Sequence, residues 1–321
     1  MKVNKLLLGL SLMLLTSWGF AEGTFIGAFD VGPGGDPQVA PYQNLAGNMW
    51  LAKIYSPLVM MTSDFGEHTA EGALATSWEA NEDATVWTFN LRQGVKWHDG
   101  EAFTASDVKF TAELVSAPGA VVKRTLLAGD GKPTNILGWE AFNAGTAEAI
   151  EGIVVVDDNT VQFKLVSPDP RFFDAIRWFY VLPEHAIDFT PSEMLSTDWW
   201  YTQAIGTGPF KLSAFARDEY MELLPNEFYW DGVPKLDKLI NRYFVDEVSA
   251  ILALQGRDID FTYVSANNAA KFRDDPEYIV FEGPSFVTNL HNFNYKRDAW
   301  KDKRVRQAFM YGIDRESILR D

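Results

Sequence analysis

The stretch Val86-Trp87-Thr88-Phe89-Asn90-Leu91-Arg92-Gln93-Gly94-Val95-Lys96-Trp97-His98-Asp99-Gly100, followed closely by Phe103-Thr104-Ala105-Ser106-Asp107-Val108, carries strand, turn and helix signals in one short span. Val86 to Leu91 alternates apolar and polar residues, which predicts a strand with one buried face. Gln93-Gly94 is expected to turn the chain so that Val95-Lys96-Trp97 pairs with that strand. Asp99-Gly100 is a second turn. Thr104 then stands where an N-cap belongs, ahead of a helix running through Val108, Phe110 and Leu114.

Working outward, the same punctuation recurs. Thr24 to Phe29 reads as a strand, and Val31-Gly32-Pro33-Gly34-Gly35-Asp36-Pro37 as a loop. Asn44 to Tyr55 has helical spacing, ended by Pro57. Ile153 to Val156 and Thr160 to Leu165 form a hairpin across Asp157-Asp158-Asn159. Phe210 to Phe215 and Tyr220 to Leu224 flank a charged turn at Arg217-Asp218-Glu219. Leu239 to Val245 and Asp258 to Tyr263 read as strands around a helix from Val248 to Gln255. A strand from Phe286 to Phe293 and a helix from Arg304 to Leu319 close the chain. The physical reading is mixed α/β with uneven lobes.

The N-terminus sets the compartment. Lys2 and Lys5 precede an apolar run from Leu6 to Leu15, and Gly19 and Ala21 place small residues before a cut ahead of Glu22. That is the layout of a signal peptide over residues 1–21, and the run falls short of the ~20 apolar residues a membrane span needs. The chain has no cysteine, so no lipid anchor is expected at the cut, and the destination is periplasmic. Processing moves the formal charge from −16 to −18, since two lysines leave and no acid does. Such a surface argues against nucleic acid or anionic lipid as partners. About 300 mature residues exceed one ordinary core, which favours two lobes. The 11 Trp, 11 Tyr and 23 Phe are more than core filling needs, so some are expected in a ligand cleft.

Catalytic and metal chemistry find little support. His68, His98, His185 and His291 lie far apart in sequence, and without cysteine no zinc-type spacing exists, so no metal and no cofactor are expected. His98-Asp99 is read as structural, because Asp-Gly marks a turn. There is no Gly-x-Ser-x-Gly elbow, and the loop at 32–35 lacks the Lys-Ser/Thr ending of a phosphate loop.

A set of segments in order carries a resemblance. Ile54-Tyr55-Ser56-Pro57-Leu58-Val59, Leu74-Ala75-Thr76-Ser77-Trp78-Glu79 and the span quoted first are followed by Gly206-Thr207-Gly208-Pro209-Phe210. Then come Asn226-Glu227-Phe228-Tyr229-Trp230, Ala253-Leu254-Gln255-Gly256-Arg257-Asp258-Ile259-Asp260, Val305-Arg306-Gln307-Ala308-Phe309 and Ile313-Asp314-Arg315-Glu316. Together they resemble the bacterial extracytoplasmic solute-binding proteins of family 5, the peptide- and nickel-binding components of ABC transporters. Locally, the glycines at 206 and 208 are read as a tight bend where lobes meet.

The resemblance implies a periplasmic-binding-protein-like, two-lobed α/β clamshell with an extra inserted domain, and a binding protein rather than an enzyme. Lobe I is expected at 22–57 and 197–284, the inserted domain at 58–196, and the start of lobe II at 285–321, with the rest of that lobe absent. The solute would be a peptide, and the partners an ABC permease and its ATPase, served by a monomer. Expected ligand contacts are Tyr42, Gln43 and Asn44 after the first loop, Trp178 and Tyr180 ahead of Pro183, Tyr263 near the lobe edge, and Phe286, Asn289 and His291 on the crossing strand. An oligosaccharide binder of the same fold, suggested by the tryptophans, and a secreted carbohydrate-active enzyme are the rival readings.

Overall fold

Val86–Leu91 is a central strand of a four-stranded antiparallel sheet in the computed structural model of the chain. The structure describes residues 23–29, 41, 51–64, 67–120, 135–169, 172, 176, 179–282, 293–314 and 317. In chain order its strands are β1 (Thr24–Ala28), β2 (Val59–Asp64), β3 (Glu67–Gly72), β4 (Ala75–Ala80), β5 (Val86–Leu91) and β6 (Ile153–Asp157). They continue with β7 (Thr160–Lys164), β8 (Phe210–Ala216), β9 (Tyr220–Pro225), β10 (Lys238–Arg242) and β11 (Phe261–Thr262). The helices are α1 (Leu51–Ile54), α2 (Ala105–Ser116), α3 (Trp139–Asn143), α4 (Trp199–Thr202), α5 (Glu247–Gln255), α6 (Ala266–Ala269) and α7 (Lys303–Tyr311).

Two larger sheets divide the strands. One is ordered β4-β5-β7-β6, and the other β11-β1-β10-β9-β8; β2 and β3 form a separate hairpin. In the five-stranded sheet, β1 runs parallel to both β10 and β11, while β10, β9 and β8 are antiparallel. Residues on both sides of the long interval between α1 and α4 thus meet in one sheet. The four-stranded sheet lies wholly within that interval. Described residues up to Pro276 form one compact unit, and those from Glu277 onward a second.

The hairpins β6–β7 and β8–β9 form as their turns predict, with Asp218 in the left-handed region at φ 60°. The partner of β5 is different from expectation. Its two edges are filled by β4 and β7, so Val95–Trp97 has no place beside it. Gly94, at φ 74°, sends the chain away instead. Residues 95–103 fold on themselves: the Trp97 N–H donates to Glu101 O at 2.9 Å, and the Phe103 N–H to Val95 O at 3.0 Å. Gly100, at φ 94°, closes that turn.

α2 begins where Thr104 predicts. The Thr104 N–H donates to Asp107 Oδ2 at 2.9 Å, satisfying a backbone donor at the helix start. The same carboxylate takes the Glu184 N–H at 3.1 Å, tying α2 to a later loop.

Three further elements are shorter than expected. β10 ends at Arg242, and β11 holds two residues, because the Asp258 N–H stays bound to Ala253 O behind α5 and only Asp260 onward reaches β1. The helix expected from Arg304 to Leu319 ends at Tyr311. Gly312 closes it with its N–H on Ala308 O and Phe309 O, and Asp314 Oδ1 accepts the Ser317 N–H in the manner of a new cap. The expected helix from Asn44 is described from Leu51 on, and the strand Phe286–Phe293 lies outside the described residues save its last residue.

The main core runs through the first unit without regard to sheet boundaries. Phe89 and Phe163 meet edge to face at 5.7 Å, and Tyr55, Trp97, Phe179, Trp199 and Trp200 are almost fully buried with them. Met221, Leu223 and Leu239 bring the five-stranded sheet into the same cluster. Truncating any one such aromatic costs about 3–5 kcal/mol. In the second unit Phe293, Trp300 and Phe309 pack at 4.9–5.7 Å on α7.

Four of the motif segments converge on one spot inside the first unit. The Gly206 N–H donates to His98 Nδ1 at 3.1 Å, and His98 Nε2 lies 3.1 Å from Gly208 O. The His98 N–H donates to Gly206 O at 3.0 Å. Ser56 Oγ donates to Thr207 O at 3.2 Å, and Asn226 Nδ2 to Gly208 O at 2.8 Å. The loop lies directly on α1: a Cβ on residue 206 would sit 1.9 Å from Ile54 O, and one on residue 208 would sit 2.5 Å from Lys53 O. These glycines are required by close approach and not, as the sequence suggests, by a bend. Replacing Gly206 with Ala is therefore expected to cost ~3 kcal/mol or more. Gly23→Ala, which meets nothing within 4 Å, should cost far less in the same urea titration.

Burial pushes the His98 imidazole from 6.5 down to about 4. A neutral ring is what the network needs, since Nδ1 accepts. The sign follows: the folded state resists protonation, so this contribution is intact above pH 6.5 and is lost as pH falls toward about 4. With the side chain almost fully buried, the loss approaches ~3 kcal/mol. In His98→Gln, whose amide keeps an acceptor and a donor without titrating, urea unfolding between those pH values should show a correspondingly shallower decline.

Candidate functional site at the end of the parallel strands

Open α/β sheets bind ligands outside the carboxyl ends of their parallel strands. Here those ends belong to β1, β10 and β11. Phe29 leaves β1 with its N–H held by Asn241 Oδ1 at 3.2 Å, and Asn241 is fully buried on β10. The registers are Gly27 opposite Phe261 and Ala28 opposite Thr262. Period-2 alternation therefore puts Phe25, Gly27 and Phe29 on one face with Phe261 and Tyr263. The other face carries Ile26 and Ala28, covered by Ala250, Ala253 and Leu254 of α5.

The first face holds a row of rings. Phe29 stacks on Phe261 at 4.8 Å and 28°. Tyr263 meets Phe29 at 6.3 Å and Phe261 at 5.2 Å, edge-on to both. Phe25 stands 6.4 Å from Phe29 and joins the main core. Phe29 folds back over Gly27, where a Cβ would come within 2.0 Å of its ring. The row thus leaves the core at Phe25 and reaches the surface at Tyr263, which is 50% exposed.

Carboxylates fix the loops around it. Asp260 Oδ2 accepts the Ile26 N–H at 2.8 Å, which locks β11 to β1. Asp246 caps α5 through the Ser249 N–H at 2.7 Å. Glu247 Oε1 accepts the Ser265 N–H at 2.5 Å, holding the chain just beyond Tyr263. Hydrogen bonds from Ser249 and from Ser265 keep the Asp246 and Glu247 carboxyls below the usual carboxylate range.

Of the ligand contacts expected from sequence, Tyr42, Gln43, Asn44, Trp178, Phe286, Asn289 and His291 lie outside the described residues. Tyr180 is 7% exposed and bridges Pro57 within the core. Tyr263 lies on the ring row. Phe29 and Phe261 were not singled out by sequence; the signal available was the aromatic pair flanking Gly27 at strand spacing. Among the described residues no tryptophan is exposed, and no three His, Asp or Glu side chains are placed to hold a metal ion. A polar depression lined by Thr76, Asn90, Gln93 and residues 157–160 belongs to the four-stranded sheet, away from these strand ends. No helix among the described residues is long and apolar enough to cross a membrane.

Comparison with known proteins identifies the family and the fold. Residues 69–321 match the family described as bacterial extracellular solute-binding proteins, family 5, middle part. A Brucella ovis protein named as an ABC transporter peptide-binding protein is 40% identical over 301 residues, covering 93% of this chain and 53% of that protein. The structure of the oligopeptide-binding protein AppA from Bacillus subtilis in complex with a nonapeptide aligns with a TM-score of 0.72 at 25% identity, covering 93% of this chain and 55% of that one. NikZ from Campylobacter jejuni in complex with Ni(L-His) shares the fold, with a TM-score of 0.72 at 24% identity over 92% of this chain and 55% of that one. The chain spans about half the length of the relatives it matches. With its mixed α/β sheets and the match over residues 69–321, the chain belongs to family 5 of the bacterial extracellular solute-binding proteins.

Proposed function

We propose that the chain is the periplasmic substrate-binding component of an ABC importer for peptides, handing its ligand to a permease driven by an ATPase. The observation that carries this reading is the 40% identity, over 93% of the chain, to a relative named as peptide-binding. Export by a signal peptide over residues 1–21, cut before Glu22, belongs to the same reading, as does a monomeric binding protein. In this reading the chain divides into lobe I at 22–57 and 197–284, an inserted domain at 58–196 and a second lobe from 285, and the sheets support the first two parts. β1 pairs with β10 and β11 across that interval, whereas β4 to β7 stay within it.

In this reading Tyr42, Gln43 and Asn44, on the segment that follows β1, contact the ligand together with Tyr263, Trp178, Phe286, Asn289 and His291. Tyr263 is half exposed, and Tyr180 is buried in the core. Ligand closes the lobes to the extent that it binds the closed state more tightly than the open one.

Thermal-shift and calorimetric titration of the chain with di-, tri- and pentapeptides, nickel–histidine and linear oligosaccharides tests the proposal. Peptides should raise Tm in a saturable way. No response to any peptide, with stabilisation by an oligosaccharide, would contradict it.

A further inference from the structure

We infer that Phe29, Phe261 and Tyr263 form an aromatic shelf that selects peptides bearing an aromatic side chain, with Gly27 as the positioning residue that sets the shelf's shape; this rests on the peptide-binding reading above. Three observations support it independently of that reading. The rings are mutually ordered, one stacked pair at 4.8 Å with a third ring edge-on to both. The row is anchored where Phe25 packs into the main core and reaches the surface at Tyr263, which is 50% exposed. It also lies at the carboxyl ends of β1 and β11, where a ligand of such a sheet sits.

A ring added to such a row meets π-faces and edges already held in place, so it loses little of its binding to ordering the protein. Aromatic pairs contribute about 0.5–1.5 kcal/mol beyond the area they bury, which corresponds to roughly 2- to 12-fold in affinity. An aliphatic side chain of similar size gains only the burial. Gly27 matters because any side chain there would collide with the ring of Phe29, 2.0 Å from a Cβ, and force it off Phe261. The residue therefore acts through Phe29 and touches no ligand itself.

The test is calorimetric affinity for Ala-Phe-Ala, Ala-Leu-Ala and Ala-Ala-Ala with the intact chain, Tyr263→Phe, Tyr263→Ala and Gly27→Ala, each checked for native circular dichroism. The intact chain should prefer Ala-Phe-Ala over Ala-Leu-Ala by about 3- to 10-fold. Tyr263→Phe should keep the preference, and Tyr263→Ala should lose most of it while Ala-Ala-Ala binding stays within about twofold. Gly27→Ala should weaken the preference in the same sense. Peptide binding without preference, or a Tyr263→Ala loss equal for all three peptides, would overturn the shelf and leave the peptide reading standing. Failure of every peptide to bind would overturn both.

Discussion

The imidazole of His98 sits between a backbone donor and a backbone acceptor of one loop, Gly206 N–H on Nδ1 and Gly208 O beside Nε2. That arrangement admits only the neutral ring with its proton on Nε2, since an amide N–H can only donate. Much else hangs on it. The loop it grips lies on the carbonyls of Lys53 and Ile54, is held from another side by Ser56 and Asn226, and leads directly into β8. The turn that presents His98 leads directly into α2. One buried ring therefore links the turn between β5 and α2 to the loop that leads into β8 of the five-stranded sheet. Protonation would set two N–H groups face to face, at the cost of a buried charge.

Local chemistry was readable in the sequence, and non-local pairing was not. The β6–β7 and β8–β9 hairpins follow from Asp157-Asp158-Asn159 and Arg217-Asp218-Glu219, because a short turn decides who pairs with whom. The start of α2 follows from Thr104 and Asp107 for the same reason. β5 shows where such reasoning stops. Gln93-Gly94 is a real turn, but β4 and β7 had already taken both edges of the strand, and nothing in residues 86–97 records that competition. The helix from Arg304 shows a second limit. Apolar spacing continued past Gly312, while the closing hydrogen bonds of Gly312 and the cap offered by Asp314 ended the element.

The site was legible in part, and along the same line. Tyr263 could be named because it ends an apolar strand signal near an edge. Phe29 and Phe261 could not be joined to it, since the contact between them depends on Gly27 facing Phe261 in a parallel pair. Parallel register is set by everything folded between the strands, here most of the chain. The glycines tell a related story. Gly206 and Gly208 look like bend residues in sequence, whereas their φ angles are ordinary and the missing Cβ atoms make room for the α1 carbonyls. The tryptophans, which raised the thought of sugar stacking, include Trp97, Trp199 and Trp200 deep in the core.

NMR of the imidazole nitrogens across a pH titration reads the protonation state of His98 directly. The expected result is a ring with its proton on Nε2 and an acceptor Nδ1, titrating with a midpoint of about 4. A midpoint close to 6.5, or a proton resident on Nδ1 in the neutral form, would contradict it.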